Sequence, residues 1–265
     1  MKRSEWDKRI RRAVELGERF SYAAEVLAFY RQILALQNTI YQEISSPSLP
    51  DHKSSESFRE RLDVDAALRH LPGLLALVEQ RGPSKLAEQA KEIGGSTKDQ
   101  QRQVIENFRL ANDGERGPNA FFARVLLQPY AEHLASAEPA QPAGSAGSVC
   151  PICGARPQAA VLRPEGDGGK RFLLCSLCLT EWEFRRILCP TCGEGNYEKL
   201  PRYSAEDLAA VRVEACDTCH YYLKSIDLTV DGHAVPLVDE VATVPLDLWA
   251  AEHGYKKAEP NVMGF

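Results

Sequence analysis

Eight cysteines carry the chemistry that this sequence advertises, and they come in four CxxC pairs: Cys150 and Cys153, Cys175 and Cys178, Cys189 and Cys192, and Cys216 and Cys219. A CxxC turn places two sulfurs within reach of one ion, and two such turns supply the four thiolates of a tetrahedral metal site. All eight lie after residue 149, with 21 residues between the first two pairs and 23 between the last two. The order CxxC, spacer, CxxC thus occurs twice, with a period of about forty residues. The natural reading is sequential: Cys150, Cys153, Cys175 and Cys178 bind one ion, and Cys189, Cys192, Cys216 and Cys219 a second. An interleaved arrangement, first pair with third and second with fourth, stays open.

Disulfide exchange is the competing chemistry. It calls for a single CxxC at a helix start in a βαβ context, and four pairs are the wrong number. Two of the pairs open with CPxCG, in which proline fixes the backbone into the turn and glycine accepts a positive φ that lets amides point at sulfur, a knuckle shared by rubredoxins and zinc ribbons. Two metals would supply much of the folding free energy that a small β unit lacks, so two stapled ribbons that only hold shape are the plainest reading. Ligation by four cysteines suits iron and zinc alike.

Other residues are weighed against simpler roles. His220 follows Cys219 and is a candidate for a hydrogen bond toward the cluster, set against an ordinary strand residue beside a site that four cysteines already fill. His52, His70, His133, His233 and His253 have no HExxH or HxxxH spacing and are expected on surfaces or helix ends. In EWEFRR, Trp182 and Phe184 are expected to pack between the two metal units, with contact to a partner, joined by Arg185 and Arg186, as the alternative. The two arginines could also join Arg156, Arg163, Lys170 and Arg171 in a basic face, but the surrounding acidic surplus argues against nucleic acid. Glu15, Glu18 and Glu25 have the spacing of solvated helix faces. No GxSxG, P-loop or dinucleotide fingerprint in a βαβ setting is present, so the chain does not read as an enzyme.

The elements that must position these cysteines divide the 265 residues in two. About six helices are expected before residue 136: a charged stretch from Ser4 to about Phe20, a segment carrying Val26, Tyr30, Ile33, Leu36 and Ile40 until SSPSLPD, apolar runs divided at Pro72 and Pro83, and STKDQQRQVIENFRL and NAFFARVLLQPYAEHLA. Residues 136–149, rich in Ala, Pro, Gly and Ser, read as a flexible linker. Beyond it RFLLC, YEKLPRY, VRVEAC and YYLKSIDLTV read as short strands, and PLDLWAAEHG as a helix with Pro245 in its first turn and Gly254 at its end. The expected fold is therefore an α+β multidomain chain, with an all-α helical bundle (1–135) and linker before two small rubredoxin-like, zinc-ribbon-like β modules (150–188 and 189–265). Net charge is −5 overall; residues 1–149 balance 20 Lys+Arg with 20 Asp+Glu, whereas residues 150–265 carry 12 against 17. No signal core or membrane-length apolar run is visible, so a soluble, unexported protein with no membrane insertion is expected.

The segments CPICG, CSLCLTEWEFRRILCPTCG, CDTCHYYLKSID and DEVATVPLDLWAAEHGY resemble the C-terminal half of the formate dehydrogenase accessory protein family, FdhE. FYRQILALQ and FFARVLLQPYAEHLA are weaker matches in the helical half. The resemblance implies a cytoplasmic maturation factor, not an enzyme, that binds the catalytic subunit of respiratory formate dehydrogenase before export and is needed for its activity. It implies that the eight cysteines are metal ligands, that iron is favoured over zinc, and that the sites could sense redox state. Relatives often carry glycine where this chain has His220. An oligomer of the chain with itself is compatible with the sequence. The alternatives are a nucleic-acid-binding double zinc ribbon and a two-iron electron-transfer protein.

Overall fold

Seven helices, one more than the six expected, make up the first half of the computed structural model, which describes residues 3–45, 57–111, 119–138, 147–166 and 168–265. They are α1 (Arg3–Arg19), α2 (Ala24–Ile44), α3 (Val64–Leu68), α4 (Leu71–Arg81), α5 (Ser84–Gly95), α6 (Lys98–Leu110) and α7 (Asn119–Ala135). The additional helix is the five-residue α3, started by Asp63, whose side chain accepts from the Ala66 amide at 2.9 Å. Thr97 and Gln100 form a reciprocal capping box at the start of α6, satisfying amides that the first helical turn leaves unpaired. Pro72 sits in the first turn of α4, and Gly82 ends it where a Cβ would approach the Val78 carbonyl oxygen to 2.7 Å. In α2, Tyr30, Ile33 and Ile40 are buried, whereas Val26 and Leu36 lie half-buried at the edge of the same stripe. The Ser4 cap, His52 and most of SSPSLPD fall outside the residues whose side chains are described.

The second half builds one sheet from β1 (Pro157–Glu165), β2 (Gly168–Cys175), β3 (Glu181–Glu183), β4 (Arg202–Ser204), β5 (Val211–Ala215), β6 (Tyr221–Asp227) and β7 (Lys256–Lys257). Their order is β3-β2-β1-β6-β5-β4, and β7 pairs with the first two residues of β6. Each four-cysteine segment supplies three antiparallel strands, and the two join where β1 runs parallel to β6, Ala159 opposite Lys224 and Val161 opposite Ile226. Alternation along the strands divides the sheet's two faces. Ala160, Leu173 and Leu223 face the helical core, whereas Ala159, Val161, Val213 and Ile226 form a second cluster. Helix α9 (Val244–Glu252) covers that second cluster with Leu246 and Ala250.

Two local expectations need correction. YEKLPRY is not one strand: Tyr197–Lys199 is a 3₁₀ turn capped by the Asn196 side chain, and Pro201, which lacks an amide to donate, precedes the short β4. In YYLKSIDLTV, pairing ends at Asp227, because the Asp227 carboxylate accepts from the amide and hydroxyl of Thr229 and folds the chain into a turn. Helix α8 (Pro236–Ala242), with no counterpart among the expectations, packs Val238, Val241 and Ala242 against the helical core. On either side of residues 139–146, which lie outside the described residues, Arg61 pairs with Glu138, and the Trp182 indole donates to the Gly147 carbonyl at 3.0 Å.

Candidate metal centres

Four structural copies of one knuckle bring the thiols together. In each, the amide of the first cysteine donates to the carbonyl two residues after the second: Cys150 to Ala155, Cys175 to Thr180, Cys189 to Glu194 and Cys216 to Tyr221, at 2.8–3.0 Å. The residue directly after each second cysteine adopts the left-handed conformation, at φ +71° for Gly154, +59° for Leu179, +79° for Gly193 and +56° for His220. Glycine takes this conformation freely, whereas leucine and histidine do so at a cost that the rest of the knuckle must offset.

Facing knuckles form two tetrads, Cys150, Cys153, Cys175 and Cys178, and Cys189, Cys192, Cys216 and Cys219, with all four sulfurs of each within 4.8 Å of one another. This is the sequential grouping. Cross-knuckle sulfur contacts measure 3.5 Å (Cys150 to Cys178) and 3.4 Å (Cys153 to Cys175) in the first tetrad, and 3.7 Å (Cys189 to Cys219) and 3.6 Å (Cys192 to Cys216) in the second. A tetrahedral shell with metal–sulfur bonds near 2.3 Å needs about 3.8 Å between sulfurs, so both tetrads fit one ion with a shift of a few tenths of an ångström. Either cluster could hold a metal ion.

The electrostatics favour a cation. Hydrogen bonds from Cys153, Cys175 and Cys178 hold the Cys150 thiol well below the ordinary thiol range. Burial pushes Cys175 up, and Cys178 is held up by the hydrogen bonds it gives Cys150 and Cys153. In the second tetrad burial acts against ionisation of Cys189, but the amides of Cys192 and Thr191 outweigh it and bring Cys189 down, whereas burial keeps Cys216 and Cys219 up. Thiols packed this closely cannot all ionise by themselves; a divalent ion at the centre would let them.

The surroundings of the two tetrads differ. All four cysteines of the first belong to the main hydrophobic core, with Cys175 fully buried. In the second, Cys189 and Cys216 are buried, Cys219 is half-buried and Cys192 is exposed. Side chains from the first half of the chain brace the first site. Arg59 donates to the Cys153 carbonyl at 3.1 Å, and Gln128 of α7 donates to the carbonyl of Ser176, inside the CSLC turn, at 3.1 Å. Gln128 in turn accepts from Gln37 of α2, whose amide also donates to the Val125 carbonyl at 3.1 Å. Val125 lies four residues before Pro129, so it is the carbonyl that a proline inside a helix leaves unpaired. One glutamine therefore repairs the helix and positions the neighbour that braces the metal knuckle. Pro129 signals an orphan carbonyl in the sequence, but not which residue answers it.

The remaining sequence candidates have defined places. The exposed His220 ring lies beside Tyr255, 6.3 Å between centroids, and among the described residues no hydrogen bond joins it to a sulfur; its backbone amide donates to the Cys216 carbonyl at 2.8 Å. His70 caps α4, His133 lies in the last turn of α7 and His253 caps α9, stacked on Trp249. Trp182 and Phe184 are buried in the core shared with the helices. Arg185 and Arg186 are exposed, and the Arg186 guanidinium donates to the Gly169 carbonyl at 3.1 Å. Other basic residues of the module are matched by acids: Arg163 grips Glu181 bidentately at 2.6 and 2.7 Å, Lys170 meets Glu183 at 2.9 Å, and buried Arg171 meets Glu214 at 2.8 Å.

Buried ion pairs, invisible in the sequence reading, fasten the helical half to the C-terminal half. Arg12 of α1 meets Asp239 at 2.6 Å and Asp231 at 2.7 Å, and Arg124 of α7 meets Glu259 at 2.7 Å while donating to the Pro260 and Asn261 carbonyls. Under the sheet, Lys224, with no exposed surface, meets Asp247 at 2.5 Å and Glu240 at 3.2 Å, and Lys257 bonds the same two acids. No helix among the described residues is long and apolar enough to cross a membrane.

Comparison with known proteins converges on one family. The family model described as FdhE, central domain, matches residues 149–186, and that described as FdhE, C-terminal domain, matches residues 187–263. The Protein FdhE homolog of Aquifex aeolicus is 31% identical over 275 residues, covering 100% of this chain and 97% of that protein. The homolog from Pseudomonas aeruginosa PAO1 is 39% identical over 122 residues, or 43% of this chain and 39% of its own. The crystal structure of the FdhE protein from Pseudomonas aeruginosa superposes with a TM-score of 0.74 at 25% identity, covering 98% of this chain and 96% of that one. With a relative aligned from end to end, both cysteine modules matched and the helical half superposed, the chain belongs to the FdhE family of formate dehydrogenase accessory proteins.

Proposed function

We propose that this chain is a non-catalytic maturation factor that acts in the cytoplasm, binds the catalytic subunit of formate dehydrogenase, and uses its eight cysteines as ligands of two metal ions. The observation that carries the reading is the pair of four-sulfur tetrads, each of a size to enclose one ion, in a chain with FdhE likeness along its whole length. Functionally the chain divides into the helical segment 1–135, the linker 136–149, and the modules 150–188 and 189–265. Bound by four thiolates, zinc would supply a rigid cross-link and iron in addition a one-electron couple; iron is the choice that the family resemblance favours. The protein's own contribution is positional: paired knuckles aim the sulfurs inward, and Gln128 of α7 and Arg59 of the turn before α3 brace the first pair of knuckles.

A nucleic-acid role is less well supported, because Arg163, Lys170 and Arg171 are spent on carboxylates in a half that carries an acidic surplus. The test is anaerobic affinity purification of the tagged chain from formate-grown cells, with mass spectrometry of what accompanies it. The catalytic subunit of formate dehydrogenase is expected with the intact protein, and formate dehydrogenase activity should fall when either tetrad carries Cys→Ser changes at normal expression. Absence of the subunit, or full activity with both tetrads removed, contradicts the proposal.

A further inference from the structure

Identical ligand sets in unlike surroundings need not behave alike. The sulfurs of the first tetrad are enclosed by the core that spans helices and sheet, with Trp6, Leu16, Phe122 and Leu126 in the same cluster. All four of its cysteines are 5% exposed or less, in a core that the Arg12 and Arg124 ion pairs help to hold between the two halves of the chain. None of the cysteines of the second tetrad belongs to that core. Cys192 is exposed, Cys219 is half-buried, and the turn after Cys192 is a run of exposed residues from Gly193 to Lys199, broken only by the half-buried Glu194. Local opening of such a loop needs far less free energy than opening a core.

We infer that the second tetrad is a metal-exchange site, which yields its ion to soluble thiols and chelators in the folded protein by opening at Cys192, whereas the first keeps its ion until the fold opens. The inference rests on the reading of the tetrads as metal sites and extends it to a division of labour. In the exchange step an incoming thiolate bonds to the ion, the bond to Cys192 breaks, and the departing Cys192 thiolate takes a proton from solvent. The ion keeps its oxidation state, so no oxidant or reductant is needed. The buried partners Cys189 and Cys216 hold the ion while the exposed edge turns over.

The test uses the full chain loaded with zinc under anaerobic conditions, its zinc content measured first. A chelating dye that reports free zinc is added, and iodoacetamide labelling is followed by mass spectrometry over the same times. One equivalent of zinc is expected to leave at least about tenfold faster than the other, with label appearing first on Cys192 and Cys219, then on Cys189 and Cys216. Cys150, Cys153, Cys175 and Cys178 should stay unlabelled until denaturant is added. Release of both ions at one rate, no release before unfolding, or first labelling among the first four cysteines overturns the inference. A chain that takes up no zinc or other divalent metal sinks the metal reading and this inference together, whereas biphasic release without a formate dehydrogenase partner would remove the accessory role and leave the exchange site standing.

Discussion

The two tetrads share a motif, a knuckle geometry and a ligand set, yet one is a joint between distant parts of the chain and the other belongs to its own strands. In the first, α2 and α7 reach the CSLC turn through Gln37 and Gln128, and Arg59 reaches the CPIC turn. In the second, the contacts come from the C-terminal half itself: Thr218 donates to Glu194 between facing knuckles at 2.6 Å, the Thr191 amide donates to Cys189, and the Tyr255 hydroxyl donates to Asp217 in the CDTC turn at 2.6 Å. The difference teaches that the CxxC pattern specifies how sulfurs are aimed, whereas tertiary packing decides how deeply each tetrad is enclosed.

Cysteine substitutions should break the comparison with the largest effect. Cys175→Ser leaves a polar group in a fully buried tetrad, and is expected to cost more than about 4 kcal/mol and most of the soluble yield. Cys192→Ser, at an exposed position, should leave a folded chain with one tightly held ion. Urea denaturation with metal analysis reads both, and equal losses would dissolve the distinction. The seam comes next. Arg124→Met breaks the buried ion pair with Glu259 and removes the donor to the Pro260 and Asn261 carbonyls, and should cost about 3–5 kcal/mol, while speeding zinc release from the first tetrad and not the second. Gln128→Leu removes the donor to the Ser176 carbonyl and the acceptor for Gln37; a loss of about 1–3 kcal/mol is expected, again with the first tetrad alone loosened.

Acid should weaken the sheet through Glu214. Burial alone would raise its carboxyl, but Arg171, Arg212 and Arg202 hold it below its ordinary value of 4.5. The stability it lends is therefore complete above that value and is lost as pH falls through the lower folded value. The urea midpoint of the intact protein should drop over that acid range more steeply than that of Glu214→Gln. The smallest effect is expected at the knuckles. His220→Gly relieves the left-handed conformation at an exposed site and should stabilise by about 0.5–1 kcal/mol after the entropy of glycine is counted. Leu179→Gly relieves the same conformation but gives up packing against the second apolar cluster, and should destabilise, as thermal unfolding of the two variants side by side would show.

Much of this was legible in the sequence because it is local. CxxC spacing, the glycines at 154 and 193 and the prolines at helix starts each act within a few residues, so knuckles, helices and strands could be read from them. His220 marks the limit of that reading: taken for a strand residue or a donor to the cluster, it is the fourth left-handed knuckle residue, as the position of Gly154 and Gly193 could have indicated. What stayed hidden depends on separation along the chain. Arg12 meets Asp239 across 227 residues, and β1 joins β6 in parallel, so neither the ion seam nor the single sheet leaves a periodic trace. Residues 150–188 and 189–265 read as two β modules, and nothing in their spacing announces that they share one sheet or that only the first tetrad is sunk into the core shared with the helices.

X-ray absorption at the metal edge of the anaerobically purified full chain, with metal stoichiometry on the same sample, tests the account at its centre. Two ions per chain are expected, one for each tetrad, in a shell of four sulfurs at about 2.3 Å. Fewer than two ions in the intact protein, or a shell containing nitrogen or oxygen, would contradict it.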